Sequence, residues 1–221
     1  MIHAPGSPSV PMDVLSIMLL ATSLLLVAVR RLDLGIWLLV SQALILAGIA
    51  VDIALITGAG HAWLAVGLTV AVKAVALPTV LFRVLRSVRV RREVELVLPT
   101  KAALLLAVGA IVLSYHATGQ LPFPGAVASR HALPVAVAVM LLGLGIMIGR
   151  RKALSQVAGL IVMENGVYLA ALVTTMGLPL AVELGIAFDL LIGVLLLGIF
   201  AYRINETFDT INTDRLRTLR G

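Results

Sequence analysis

LSQVAGLIVMENGVYLAALVT, residues Leu154 to Thr174, is a run of 21 positions in which Glu164 is the one charged residue. About 20 predominantly apolar residues suffice to cross the hydrocarbon of a bilayer as a helix. The run therefore reads as a membrane span that carries a carboxylate and an amide, Glu164 and Asn165, in its interior.

The rest of the chain agrees with that reading. Of 221 residues, 61% are hydrophobic and 13% charged, and the mean hydropathy is +1.10. A soluble domain has roughly 45–50% apolar and 25% charged residues. Requiring about 20 apolar residues per crossing, the chain divides into spans near 13–29, 34–57, 62–85, 101–115, 132–149, 154–176 and 180–202. The expected fold is all-α, a polytopic membrane bundle of seven transmembrane helices. The organisation is an outer segment 1–12, a four-helix region 13–115, a three-helix region 132–202 and a tail 203–221. The fourth span is the shortest, with an apolar core from Ala102 to Tyr115 and Lys101 at its edge.

Charge sets the orientation. Arg30 and Arg31, then Arg83, Arg86, Arg89, Arg91, Arg92 and Lys101, then Arg150, Arg151 and Lys152, then Arg203, Arg215, Arg217 and Arg220 fall in alternate connections. These are 15 of the 17 basic residues; Arg130 lies on the other side and Lys73 inside a span. Basic residues accumulate in cytoplasmic loops, so the N-terminus is expected outside and the C-terminus in the cytoplasm of a bacterial cell. The basic balance is thereby explained by topology rather than by nucleic acid. The segment MIHAPGSPSVPM has no Lys or Arg, and the run after it ends in Arg30-Arg31, which does not fit a removable signal peptide.

The first and last thirds of the chain resemble each other. Each has a helix, a basic pair (Arg30-Arg31, Arg150-Arg151), an outgoing helix and a returning helix. The returning helices align without gaps, Leu64–Lys73 against Leu180–Asp189. That pattern predicts a parallel repeat of helices one to three and five to seven.

Depth singles out three residues. At about 1.5 Å per residue, Glu164 lies about 18 Å from Lys152, Asp189 about 21 Å from Arg203 and Lys73 about 15 Å from Arg83, all near the midplane. Asp52 and Glu183 sit nearer the outer ends of their spans. Ionisable groups at mid-membrane are costly, face protein or water, and mark ion pathways. Desolvation brings carboxylates and amines toward neutral titration, so Glu164, Asp189 and Lys73 are the candidate proton-transfer groups. The bland alternative is a buried ion pair that only locks helices together. Pro78 is expected to deprive the Ala74 carbonyl of its helical donor.

Other chemistry is sparse. Cysteine is absent, so no disulfide or iron–sulfur ligation arises within this chain, and any redox centre belongs to a partner. His3, His61, His116 and His131 fall in or beside outer connections, where a solvated role outweighs a metal site. Gly145 and Gly149 form a GxxxG packing signal.

The segment from Leu133 to Gly221 resembles the K-type subunit of bacterial complex I, and the whole chain resembles component E of the hydrogenase 4 and formate hydrogenlyase complexes. A basic pair followed by a GLExMxN helix is matched by Arg150-Arg151 and Gly159–Asn165, except that the family glutamate aligns with Ile161 and Glu164 stands three residues later, one turn along the same face. A second family glutamate, in ExxIG, is matched by Asp189 to Gly193, and the family tail by Asn212 to Gly221. The resemblance implies a non-redox subunit that conducts protons between a redox arm and antiporter-like subunits. Its partners would be those antiporter-like subunits and the quinone- or redox-arm-anchoring subunits, with iron–sulfur centres, and NiFe where it is retained, held there rather than here. The tail is then expected to lie against a partner. Two other readings stay open: a small subunit of a multi-subunit cation/proton antiporter, whose plan typically lacks the midplane glutamate, and a purely structural membrane adaptor.

Overall fold

A computed structural model describes residues 10–58, 60–87, 98–119 and 131–175, together with Gly185, Ile192, Gly193 and Gly198. The described elements are helices α1 (Val10–Ala28), α2 (Leu32–Thr57), α3 (Gly60–Leu68), α4 (Leu77–Ser87), α5 (Thr100–Gly119), α6 (Ala132–Gly149) and α7 (Ala153–Thr175), with a π-helical segment Thr69–Ala76 joining α3 to α4. No strand longer than a single bridge residue occurs among the described residues.

Among the described residues, six helices are long and apolar enough to cross a membrane, with α3, the π segment and α4 forming one of them, Ala62–Arg86. The protein is thus a multi-pass, all-helical membrane protein. The fourth span, expected to be short, is a full 20-residue helix. Lys101, expected at its edge, lies in its first turn. The seventh span, Glu183, Asp189 and the tail lie outside the described residues, so the pairing of the two returning helices in the repeat has no counterpart here. Gly185, Ile192, Gly193 and Gly198 are helical, and Ile192 is fully buried in the core.

Helix α2 ends where Gly58 adopts φ +63° and its N–H returns to the Ala54 carbonyl, a left-handed cap that favours glycine. The bundle centres on α6 and α7. Buried residues of α1, α2, α4, α6 and α7 share one core, whereas α5 turns Leu105, Leu106, Val112 and Leu113 outward.

The α6–α7 contact rests on glycines other than the expected pair. A Cβ on Gly143 would stand 2.4 Å from the Met163 amide nitrogen, and one on Gly166 would stand 2.7 Å from the Ala136 carbonyl. Gly159 is similarly tight, 2.9 Å from the Gly143 carbonyl. Gly145 and Gly149 have nothing within 4 Å, so the GxxxG signal does not mark this interface. It lies on the opposite side of α6.

The basic pairs do more than set topology. Arg31 and Arg150 are both extended. Arg150 is only 7% exposed, and its guanidinium donates to the carbonyls of Leu26, Val27 and Val29 at 3.4, 3.0 and 2.8 Å. Those are among the carbonyls that the C-terminus of α1 leaves without helical donors, and a cation there also suits the helix dipole. Arg150→Gln should lower the unfolding free energy by about 1.5–3 kcal/mol, the range for hydrogen bonds to a charged group. Arg150→Lys should recover only part of it, because the lysine stem is shorter and its ammonium falls short of the three carbonyls that Nη2 reaches. Thermal unfolding of the purified chain checks both.

Candidate functional site

The interior of the bundle holds a continuous polar chain built from four spans. Lys73 projects from the π segment and is 4% exposed; Glu164 and Asn165, adjacent on α7, are each 1% exposed; Gln42 on α2 and Ser23 on α1 are fully buried. The Lys73 ammonium forms an ion pair with Glu164 Oε1 and donates to Asn165 Oδ1 at 3.1 Å. Asn165 Nδ2 donates to Gln42 Oε1 at 2.9 Å. Gln42 Nε2 donates to Ser23 Oγ at 3.0 Å, and Ser23 Oγ donates to the Leu19 carbonyl at 2.8 Å.

The direction of this chain is set at both ends. An ammonium has donors only and a carbonyl accepts only, so each amide between them must turn its oxygen toward Lys73. Aligned in this way, hydrogen bonds polarise one another in a low-dielectric interior. Tyr168, one turn after Glu164, adds a third face. Its ring centroid lies 5.1 Å from Lys73 Nζ, and its hydroxyl is 2.9 Å from Thr69 Oγ1 on the π segment.

Pro78 explains why the helix is π at this point. A proline ring clashes with the carbonyl four residues back, and the chain widens its turns ahead of it: the Leu77 amide donates to the Val72 carbonyl, an i→i−5 bond. The expected single gap at Ala74 is therefore replaced by an eight-residue π segment, a feature found disproportionately at functional sites. Thr69, Lys73 and Leu77, spaced by four, are all buried on the inward face.

Of the three candidate residues, Lys73 and Glu164 meet. Asp189 lies outside the described residues, although Gly185, four positions earlier in the sequence, packs so close to Tyr168 that a Cβ would stand 3.1 Å from the ring. The Asp52 Oδ2 is buried with no hydrogen-bond partner among the described residues. His116 and His131 are exposed, with the His131 ring 6.2 Å from that of Tyr115, and His3 lies outside the described residues. Sequence reasoning passed over Gln42, Ser23 and Thr69. Gln42 was the findable one, as the only carboxamide of its span.

No family model matches the chain, and no solved structure matches it. Hydrogenase-4 component E of Escherichia coli strain K12 is 27% identical over 205 residues, 92% of this chain and 94% of that protein. The same identity and coverage hold for Hydrogenase-4 component E of Shigella flexneri. "Uncharacterized protein Rv0085" of Mycobacterium tuberculosis is 33% identical over 162 residues, 72% of this chain and 74% of that one. This protein therefore belongs to the same family as the mycobacterial protein, with hydrogenase-4 component E as a more distant relative.

Proposed function

We propose that the chain is a membrane subunit of a hydrogenase-type, complex I-like redox complex. In this reading it carries protons through midplane groups and links the redox arm to antiporter-like subunits in a bacterial cell membrane. The observation that carries the proposal is the Lys73–Glu164 pair, nearly inaccessible and held in a π segment at the head of a directed polar chain. Similarity to hydrogenase-4 component E along nearly the whole chain supports the setting. Glu164 and Asp189 are the two groups that exchange a proton, one of them protonated at a time because like charges in close range do not both ionise cheaply. Lys73 sets the balance between them. A charge moved across 100 mV is worth about 2.3 kcal/mol, within reach of a small change in such a pairing driven by a redox partner.

The experiment is proton translocation in vesicles carrying the whole complex. Glu164→Gln with Asp189→Asn keeps side-chain shape and removes both proton sites. Because Glu164→Gln leaves the Lys73 ammonium without its counter-ion, less complex should assemble; in the fraction that assembles and transfers electrons, protons moved per electron should fall to near zero. Unchanged translocation defeats the proposal. One observation favours a second reading, a structural adaptor: an ion pair so deeply buried also locks the π segment to α7 by itself.

A further inference from the structure

The Lys73–Glu164 pair has polar neighbours on two sides, and the two sides differ in chemistry. On one side Asn165 and Gln42 lead to Ser23, toward the end of α1 that meets Arg150. On the other, the hydroxyls of Tyr168 and Thr69 lie 2.9 Å apart. Tyr168 follows Glu164 by four positions on α7, and Thr69 precedes Lys73 by four on the span that begins with α3. Both hydroxyls therefore stand about one turn nearer the end where α2 gives way to α3. The two branches run toward opposite ends of the bundle.

The amide branch cannot carry a succession of protons. A proton accepted at Asn165 Oδ1 and released from Nδ2 to Gln42 Oε1 would leave the amide as its imidic acid, which has to revert before the next proton can follow. The branch also closes on the Leu19 carbonyl, an acceptor with no proton to give. Its fixed direction makes it a clamp on the ammonium. The hydroxyl branch has the opposite properties. A hydroxyl donates one hydrogen bond and accepts others, so it can take a proton on a lone pair while giving up its own and stay neutral. Either oxygen can be the donor in the bond that Tyr168 and Thr69 share, so the pair resets by rotation. The two residues are 4% and 3% exposed, which keeps the step out of bulk solvent. The Tyr168 ring centroid lies 5.1 Å from Lys73 Nζ, and Gly185 sits against the Cδ2–Cε2 edge of that ring, which holds the hydroxyl in place beside the pair.

We infer that protons leave the Lys73–Glu164 pair through the hydroxyls of Tyr168 and Thr69, toward the end where α2 gives way to α3, and that the amide branch closes the opposite route. The inference rests on the proton reading above and adds to it the path and its direction. One proton passes from the pair through a bridging water to the Tyr168 oxygen. The phenol proton moves to Thr69 Oγ1, and the Thr69 proton moves on to water at that end. Each hydroxyl finishes as it began, and one proton has left the pair. Tyr168 and Thr69 are relay residues, whereas Asn165, Gln42 and Ser23 position the ammonium.

The test is proton translocation in vesicles carrying the whole complex, read only in the fraction that assembles and transfers electrons. Thr69→Val keeps the branched shape and removes the hydroxyl, and Tyr168→Phe keeps the ring over Lys73 and removes the hydroxyl. Each should lower protons moved per electron about tenfold, the kinetic equivalent of losing one neutral hydrogen bond from the path. Thr69→Ser returns the hydroxyl without the methyl group and should restore the ratio. A ratio unchanged in both Thr69→Val and Tyr168→Phe overturns the inference, and so does a Thr69→Ser variant as low as Thr69→Val, which would assign the effect to packing of the methyl group. Glu164→Gln with Asp189→Asn separates the two levels of failure. If that pair of substitutions stops translocation while loss of the hydroxyls does not, only the path is wrong. If it leaves translocation unchanged, the proton reading falls and the path falls with it.

Discussion

Lys73→Met should destabilise the chain by about 3–5 kcal/mol, the usual consequence of removing one partner from a buried ion pair. Glu164 is 1% exposed and pairs with Lys73, so the substitution leaves a carboxylate in the bundle without its counter-ion. It also removes the donor to Asn165 Oδ1, and with it the end that orients the amides of Asn165 and Gln42. Combining Lys73→Met with Glu164→Gln removes both charges at nearly constant volume. Pairs replaced as a unit often return to neutral or better, so the double variant should regain most of the loss, and the coupling measured by the cycle should exceed about 2 kcal/mol. Unfolding in detergent with a denaturant series reads all three.

The same cycle separates the two readings of the pair. A lock requires only that the double variant be stable and assembled, and it predicts normal proton translocation once stability returns. A proton path predicts that the double variant assembles, transfers electrons and moves few or no protons. Coupling near zero would contradict the ion pair itself.

Much of this was legible in the sequence because a membrane imposes simple rules. Runs of about 20 apolar residues fixed six spans to within a few residues, and counting residues from the basic clusters placed Lys73 and Glu164 at one depth, where they meet. What depth cannot supply is azimuth. Nothing in the spacing of Gln42 or Ser23 says that they face Asn165, since hydrophobicity is nearly uniform around such helices and leaves no polar stripe to read. The π segment was half visible. Pro78 announced a disturbance, but the preceding eight residues absorb it as a widened helix rather than one missing bond. Arg150 was counted as a topological charge; its role at the end of α1 depends on two distant chain segments meeting. Gly145 and Gly149 fit a motif, yet Gly143, Gly159 and Gly166 make the contact, because the motif specifies spacing and not which face of α6 meets α7.

That last difference leads to the second large effect. Gly143→Leu should prevent α6 and α7 from closing and leave little folded chain. Its Cβ would lie 2.4 Å from the Met163 nitrogen, 2.7 Å from the Met163 Cα and 2.7 Å from the Gly159 carbonyl, all backbone atoms that cannot rotate away. Overpacking in a core ordinarily costs about 1–3 kcal/mol and occasionally more. Here relief requires moving a whole helix, and helix association in a membrane depends on this close approach, because lipid tails offer no hydrophobic drive to hold the pair together. Met163 precedes Glu164, so any separation also draws the carboxylate away from Lys73. Gly166→Leu, meeting the Ala136 carbonyl and the Met140 nitrogen at 2.7 Å, should act alike. Gly145→Ala, with open space around its added carbon, should stay within about 0.5 kcal/mol of the parent apart from a small gain in helix propensity. The yield of monodisperse chain and its thermal midpoint provide the comparison. Equal behaviour of Gly143→Leu and Gly145→Ala would mean that α6 and α7 do not pack through these glycines, and the position of Glu164 would then lose its support.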